Sequence, residues 1–209
     1  VVVTSADGCT KTFTKSFLVV AEQGITLSQS TYAICADADP LTFTLPFTIS
    51  AGAPTQYKMT FDGGGFTPVT TWIPLPADGK FVINAGSTTP DSYTATIPVA
   101  DAPLTSQATH YVTLVINALP EIILGSISNL AYNATSVTIP YTVPSGSTAA
   151  TYSATIDGVT GVSTSGTINA AGGNIVISGF SSLSAGSHTV SVVVTSADGC
   201  TKTFTKSFL

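Results

Sequence analysis

Few side chains in this sequence could do chemistry, and their spacing narrows the options further. Cysteines stand at positions 9, 35 and 200, and Cys9 and Cys200 share one local sequence, Ala-Asp-Gly-Cys-Thr. Only two distinct cysteine positions therefore exist. One arrangement is a Cys9–Cys35 bond, which by chain entropy would contribute about 3 kcal/mol, provided the Cα atoms come within about 7 Å. Against it, the start of a closing strand and the start of a second strand usually lie at opposite ends of a sandwich. The alternative is small, inert, buried thiols.

Asp37 and Asp39, in Ala36-Asp37-Ala38-Asp39, are weak candidates for calcium, the one cofactor this spacing leaves open. Calcium takes six to eight oxygens, and no Asp-x-Asp-x-Asp-Gly loop supplies them. His110 and His188 are isolated, without the HExxH spacing of a zinc site, and read as surface or strand-face residues. No Gly-x-Ser-x-Gly elbow activates a serine. Glu22 and Glu121 are the only glutamates, each beside a linker, so no glycosidase-like carboxylate pair is expected. Trp72, the single tryptophan, lies in Thr-Thr-Trp-Ile-Pro-Leu-Pro and could stack on a sugar or a partner protein, or simply fill a core or edge position. Asn133-Ala134-Thr135 fits a glycosylation sequon, a pattern of low specificity. These residues nominate no catalytic site, and no enzyme is expected.

The elements around these residues read as strands. Phe43, Leu45, Phe47 and Ile49 alternate with Thr42, Thr44, Pro46 and Thr48, and Val137, Ile139, Tyr141 and Val143 alternate with Thr138, Pro140 and Thr142. A period of two puts one face in a core and the other in water. Pro46 and Pro140 match between the halves, and a residue without an N–H predicts an edge strand or a bulge there. Asp62-Gly63, Asp78-Gly79, Asp157-Gly158 and Asp198-Gly199 predict turns.

Two repeats are superimposed on this grammar. Residues 1–18 and 192–209 are identical, VVVTSADGCTKTFTKSFL, at an offset of 191 (192 − 1). Within that period, TQYKMTFDG matches ATYSATIDG and GKFVIN matches GNIVIS at offsets of 94 to 95 residues. Whole-domain repeats mean an array. The divisions expected are 1–20, the closing strand of a preceding module and so a cut end; 21–118, a first module; and 119–209, a second. About seven short strands per module predict an all-β chain of immunoglobulin-like β-sandwich modules arranged end to end. The linkers are too short to act as flexible tethers.

Composition excludes several functions. Charged residues make up 8% and hydrophobic residues 44%, so the chain folds and is not disordered. A net charge of −5 with six Lys and Arg argues against nucleic acid or an anionic membrane as partner. No apolar run reaches the length of a membrane-spanning helix.

The strand Ser-His-Thr-Val-Ser-Val-Val-Val followed by Ala-Asp-Gly-Cys-Thr, the segment Tyr-Ala-Ile-Cys-Ala-Asp, and Asn-Ala-Leu-Pro after a strand resemble the tandem immunoglobulin-like repeats of giant cell-surface proteins of Bacteroidota-type bacteria. These include gliding-motility adhesins and other type IX-secreted proteins. The resemblance implies secretion, display on the bacterial cell surface and adhesion. It implies neighbouring modules of the same polypeptide as partners, with surface glycans or other cell-surface proteins as ligands. In such proteins the two cysteine types often fall in one module; here they fall in different modules. The function expected is the shaft of a long filamentous adhesin. The alternatives are a carbohydrate- or protein-binding module and a self-assembling extracellular filament subunit.

Overall fold

The alternating apolar positions become the buried faces of strands, and no helix forms among the described residues. The computed structural model describes residues 1–17, 19–38, 41–86, 89–102, 104, 106–131, 133–157, 162–180 and 183–209. The first two strands, β1 (Val2–Thr4) and β2 (Thr10–Thr12), form an isolated antiparallel hairpin.

Eight strands follow: β3 (Gly24–Leu27), β4 (Thr31–Cys35), β5 (Thr42–Ala51), β6 (Gln56–Phe61), β7 (Val69–Pro74), β8 (Lys80–Asn84), β9 (Asp91–Ala100) and β10 (Gln107–Asn117). They make a three-stranded sheet, β3-β5-β8, and a five-stranded sheet, β4-β10-β9-β6-β7. Their inward faces share one core that includes Phe43, Leu45, Phe81, Ile97 and Leu114. Phe66 lies 4.7 Å from Phe61 and 5.2 Å from Tyr93, centroid to centroid, in an aromatic cluster at one end of this core.

The remaining strands are β11 (Ile123–Leu124), β12 (Ser136–Thr142), β13 (Ala149–Ile156), β14 (Ser163–Thr167), β15 (Gly173–Ser178), β16 (His188–Ser196) and β17 (Thr201–Phe208). They repeat the plan as sheets β11-β12-β15 and β14-β13-β16-β17. Their core is aliphatic, built on Ile139, Ile175, Ile177, Val190, Val192 and Val194. Two stacked sheets, antiparallel except for the parallel β4–β10 pair, define an immunoglobulin-like sandwich. The chain is thus all-β, with two such sandwiches in tandem.

The matched prolines correct one expectation. β5 and β12 are central strands, flanked on both sides. Pro46 and Pro140 are tolerated because the neighbouring first strand ends beside each. β3 pairs only as far as Leu27↔Phe47, with Ser28 N–H donating to the Pro46 carbonyl at 3.0 Å. β11 pairs only as far as Leu124↔Tyr141, with Gly125 N–H donating to the Pro140 carbonyl at 2.8 Å. The missing N–H falls where the ladder has stopped, so it leaves no buried acceptor unpaired.

A second correction concerns Asp62-Gly63. The left-handed residue there is Gly64 (φ 75°), and Asp62 instead accepts a 2.8 Å hydrogen bond from Thr94 N–H. Its counterpart Asp157 accepts from Thr189 N–H at 2.9 Å. Gly79 and Gly199 do take positive φ, 69° and 84°.

Candidate functional site

The residues with the most unusual surroundings lie where the first sandwich meets the second. β4 runs parallel to β10 and sets Cys35 beside Asn117, the last residue of β10. Ala36 N–H donates to the Asn117 carbonyl at 3.0 Å. Cys35 therefore sits at the exit of the first sandwich. The linker Ala118-Leu119-Pro120 is half-buried to buried and leads straight to Glu121. The β16–β17 hairpin tip, Ser196–Cys200, lies at the entrance of the second sandwich. Lys202, two residues past the tip, pairs with Glu121, and Ser147 Oγ donates to the Glu121 carbonyl at 2.6 Å while accepting from Glu121 N–H at 3.0 Å. Thr148 Oγ1 reaches back to the Ala118 carbonyl at 3.4 Å.

Across this junction Cys35 is bonded to Cys200, with a Cα–Cα distance of 5.6 Å and a sequence separation of 165. Cys200 is fully buried, whereas Cys9 is a free, exposed thiol. Neither the Cys9–Cys35 bond nor the alternative of inert buried thiols describes the structure, in which Cys35 pairs with Cys200. Cys9 lies in the isolated β1–β2 hairpin, which pairs with no other strand, whereas the matching β16–β17 hairpin belongs to the second sandwich and carries Cys200 to the junction where Cys35 lies. A usable signal was present in the sequence: the three-residue linker brings the exit of one module against the entrance of the next.

The other nominated residues are not gathered around the junction. Asp37 is exposed in the turn after β4, and Asp39 lies outside the described residues. No group of three or more His, Cys, Asp or Glu side chains suited to a metal occurs among the described residues. Trp72 is half-buried on β7, an edge strand, with Lys58 Nζ 5.1 Å from its ring centroid. A register shift between Tyr57 and Met59 of β6 accompanies this cation–π contact.

His188 sits beside Asp157, Nδ1 to Oδ1 at 3.1 Å, and borders a cavity of about 240 Å³ lined also by Leu130, Leu183, Phe208 and Leu209. That looks like half of a catalytic triad. However, Nε2 is 2.9 Å from the Ser184 carbonyl, which leaves neither ring nitrogen free to take a proton from a substrate. Both neighbours are acceptors, so the protonated ring, with an N–H on each nitrogen, satisfies both contacts. The Ser184 carbonyl, and then Asp157, raise the His188 pKa above its ordinary value against the opposing effect of desolvation.

The first sandwich shows what this histidine does. At the matching position, 188 − 95 = 93, Tyr93 Oη donates to the Thr89 carbonyl at 2.8 Å. Thr89 in turn matches Ser184 (184 − 95 = 89). Each side chain ties the start of a strand to the loop four residues before it, as a tyrosine corner does. His110 serves differently: its Nε2 accepts from Ile25 N–H at 3.3 Å, and burial holds its pKa low.

No protein-family model matches the chain, and the search of curated proteins returns no match. Solved structures do show likeness. One is a Ca2+-stabilized adhesin with which an Antarctic bacterium reaches out and binds ice (17% identity, covering 99% of this chain and 54% of that one, TM-score 0.47). A second is a set of fibronectin(III)-like modules of Clostridium thermocellum CbhA (13% identity, 89% and 93%, TM-score 0.45). A third is domains A168–A170 of titin (11% identity, 91% and 65%, TM-score 0.49). The chain spans about half the length of the ice-binding adhesin. Likeness at this level concerns the β-sandwich fold, not what the proteins bind.

Proposed function

We propose that this chain is a spacer segment of a bacterial cell-surface adhesin, a shaft that holds adhesive parts away from the cell. The observation that carries this reading is the eighteen-residue identity at an offset of 191, which marks a tandem array. The junction supports it: a half-buried three-residue linker, an ion pair and a disulfide hold consecutive sandwiches together, as a spacer requires. The divisions 21–118 and 119–209 are the repeating modules of this shaft, and 1–20 closes the module before them. The composition and the resemblance to giant surface proteins of Bacteroidota-type bacteria fit extracellular display, with gliding motility and type IX secretion as its most specific form.

Small-angle scattering on the 209-residue chain tests the shape. Strands of ten or eleven residues are about 35 Å long, so two sandwiches in line span about 75 Å. The radius of gyration should then be near 23 Å, whereas a compact globule of this length gives about 17 Å. A value near the lower figure refutes the shaft. A glycan array tests the second reading, favoured only by the half-exposed Trp72 on an edge strand. Binding that is lost in Trp72→Ala while the fold is retained would make the chain a binding module.

A further inference from the structure

We infer that the Cys35–Cys200 bond has a mechanical function: it carries tension past both sandwiches. The connectivity dictates the path. Tension entering from the N-terminal side reaches Cys35 after the first two strands of the first sandwich, β3 and β4. From there it crosses 5.6 Å, Cα to Cα, to Cys200, and leaves along β17, the last strand of the second sandwich. The 164 residues between the two cysteines (200 − 35 − 1) hold β5 to β16 and nearly all of both cores, and they lie in a loop that bears no load. Without the bond the same residues lie in series with the load, and each sandwich can be drawn out to its full contour.

The repeat turns this into a property of the array. At a period of 191, the next cysteine of the Cys35 type falls 26 residues after Cys200 (35 + 191 − 200). The extensible chain per period is therefore those 26 residues, about 90 Å at most, against about 650 Å for the whole period. Two sandwiches form one locked unit, and only its first two strands, its last strand and the joint between units can pay out chain. In such an array Cys9 takes the part of Cys200 for the unit before it.

The inference rests on connectivity and holds whether or not the chain is a shaft. It is tested by single-molecule stretching of the 209-residue chain, held at its termini by thiol-free tags. Oxidised protein should extend only by the residues outside the loop, 35 + 10 = 45, which is about 160 Å at most. Addition of a dithiol reductant should raise the contour length to that of all 209 residues, a four- to fivefold increase. Cys35→Ser and Cys200→Ser should extend fully without reductant, and Cys9→Ser should behave as the parent. Full extension of the oxidised parent, or loss of the lock in Cys9→Ser, would overturn the inference. The comparison of parent protein with and without reductant decides the question even if a cysteine variant fails to fold.

Discussion

His188 and His110 respond to pH in opposite directions because hydrogen-bond acceptors raise the pKa of the first and burial lowers that of the second. Two acceptors surround His188, so its charged form is favoured and its folded pKa is raised. That contribution is complete below the unfolded pKa of about 6.5 and is lost as pH rises through the higher folded value. Burial of His110, whose Nε2 accepts the Ile25 N–H, favours its neutral form and lowers its folded pKa. Its contribution is complete above about pH 6.5 and is lost as pH falls through the lower folded value. Acidification from pH 8 to pH 5.5 should thus stabilise the second sandwich relative to the first. Trp72, the single tryptophan, lies in the first sandwich, so its fluorescence follows that unit while calorimetry follows both. His188→Tyr should keep the tether that Tyr93 provides in the first sandwich and abolish the acid stabilisation of the second. An unchanged pH profile in His188→Tyr would show that the Ser184 and Asp157 contacts do not set it.

Among the strands, the two copies of the repeated hairpin separate local from tertiary contributions. The turn is the same in both: Ser5 N–H to the Cys9 carbonyl at 2.8 Å and Cys9 N–H to Ser5 Oγ at 3.2 Å, against 2.8 and 3.1 Å for Ser196 and Cys200. The strands are not. β16 and β17 have nine and eight residues, and β16 is buried against β13 and the second core. β1 and β2 have three each, and Val1 and Val3 are 87% and 52% exposed where Val192 and Val194 are buried. A lone two-stranded hairpin is marginal in water. Amide exchange should show no protection for Val2–Thr12 and protection approaching the global stability for Val190–Val194. Equal protection would mean that the first copy is paired with something, such as a second molecule. This pair also shows what could be read from residues alone. The turn and the alternation are local and were legible. Whether a strand is central depends on where its neighbour stops, which is why Pro46 and Pro140 suggested edges and yet lie in middle strands.

At the scale of the molecule, the disulfide makes the stabilities of two otherwise separate cores depend on each other. The same remoteness hid it from a sequence reading. Cys9 is nearer to Cys35 in the chain, but only the stacking of one sandwich's exit on the next one's entrance brings Cys200 within 5.6 Å. When one sandwich unfolds, its chain remains closed at one end by the linker and at the other by the bond to its folded neighbour. For closed loops of roughly 80 to 165 residues, chain entropy assigns such a constraint about 4–5 kcal/mol, and measured values often fall below that ceiling. For a sandwich of under a hundred residues, each kcal/mol moves the melting temperature by about 4–8 °C. Calorimetry of reduced protein, or of Cys35→Ser, should therefore show both transitions lowered by roughly 10 °C or more. Trp72 fluorescence should report the same fall for the first sandwich alone, even though the cysteine that was its partner belongs to the second. Cys9→Ser should leave both transitions in place. If reduction lowered only one transition, the bond would be stabilising a local turn and the two sandwiches would not be acting as one unit.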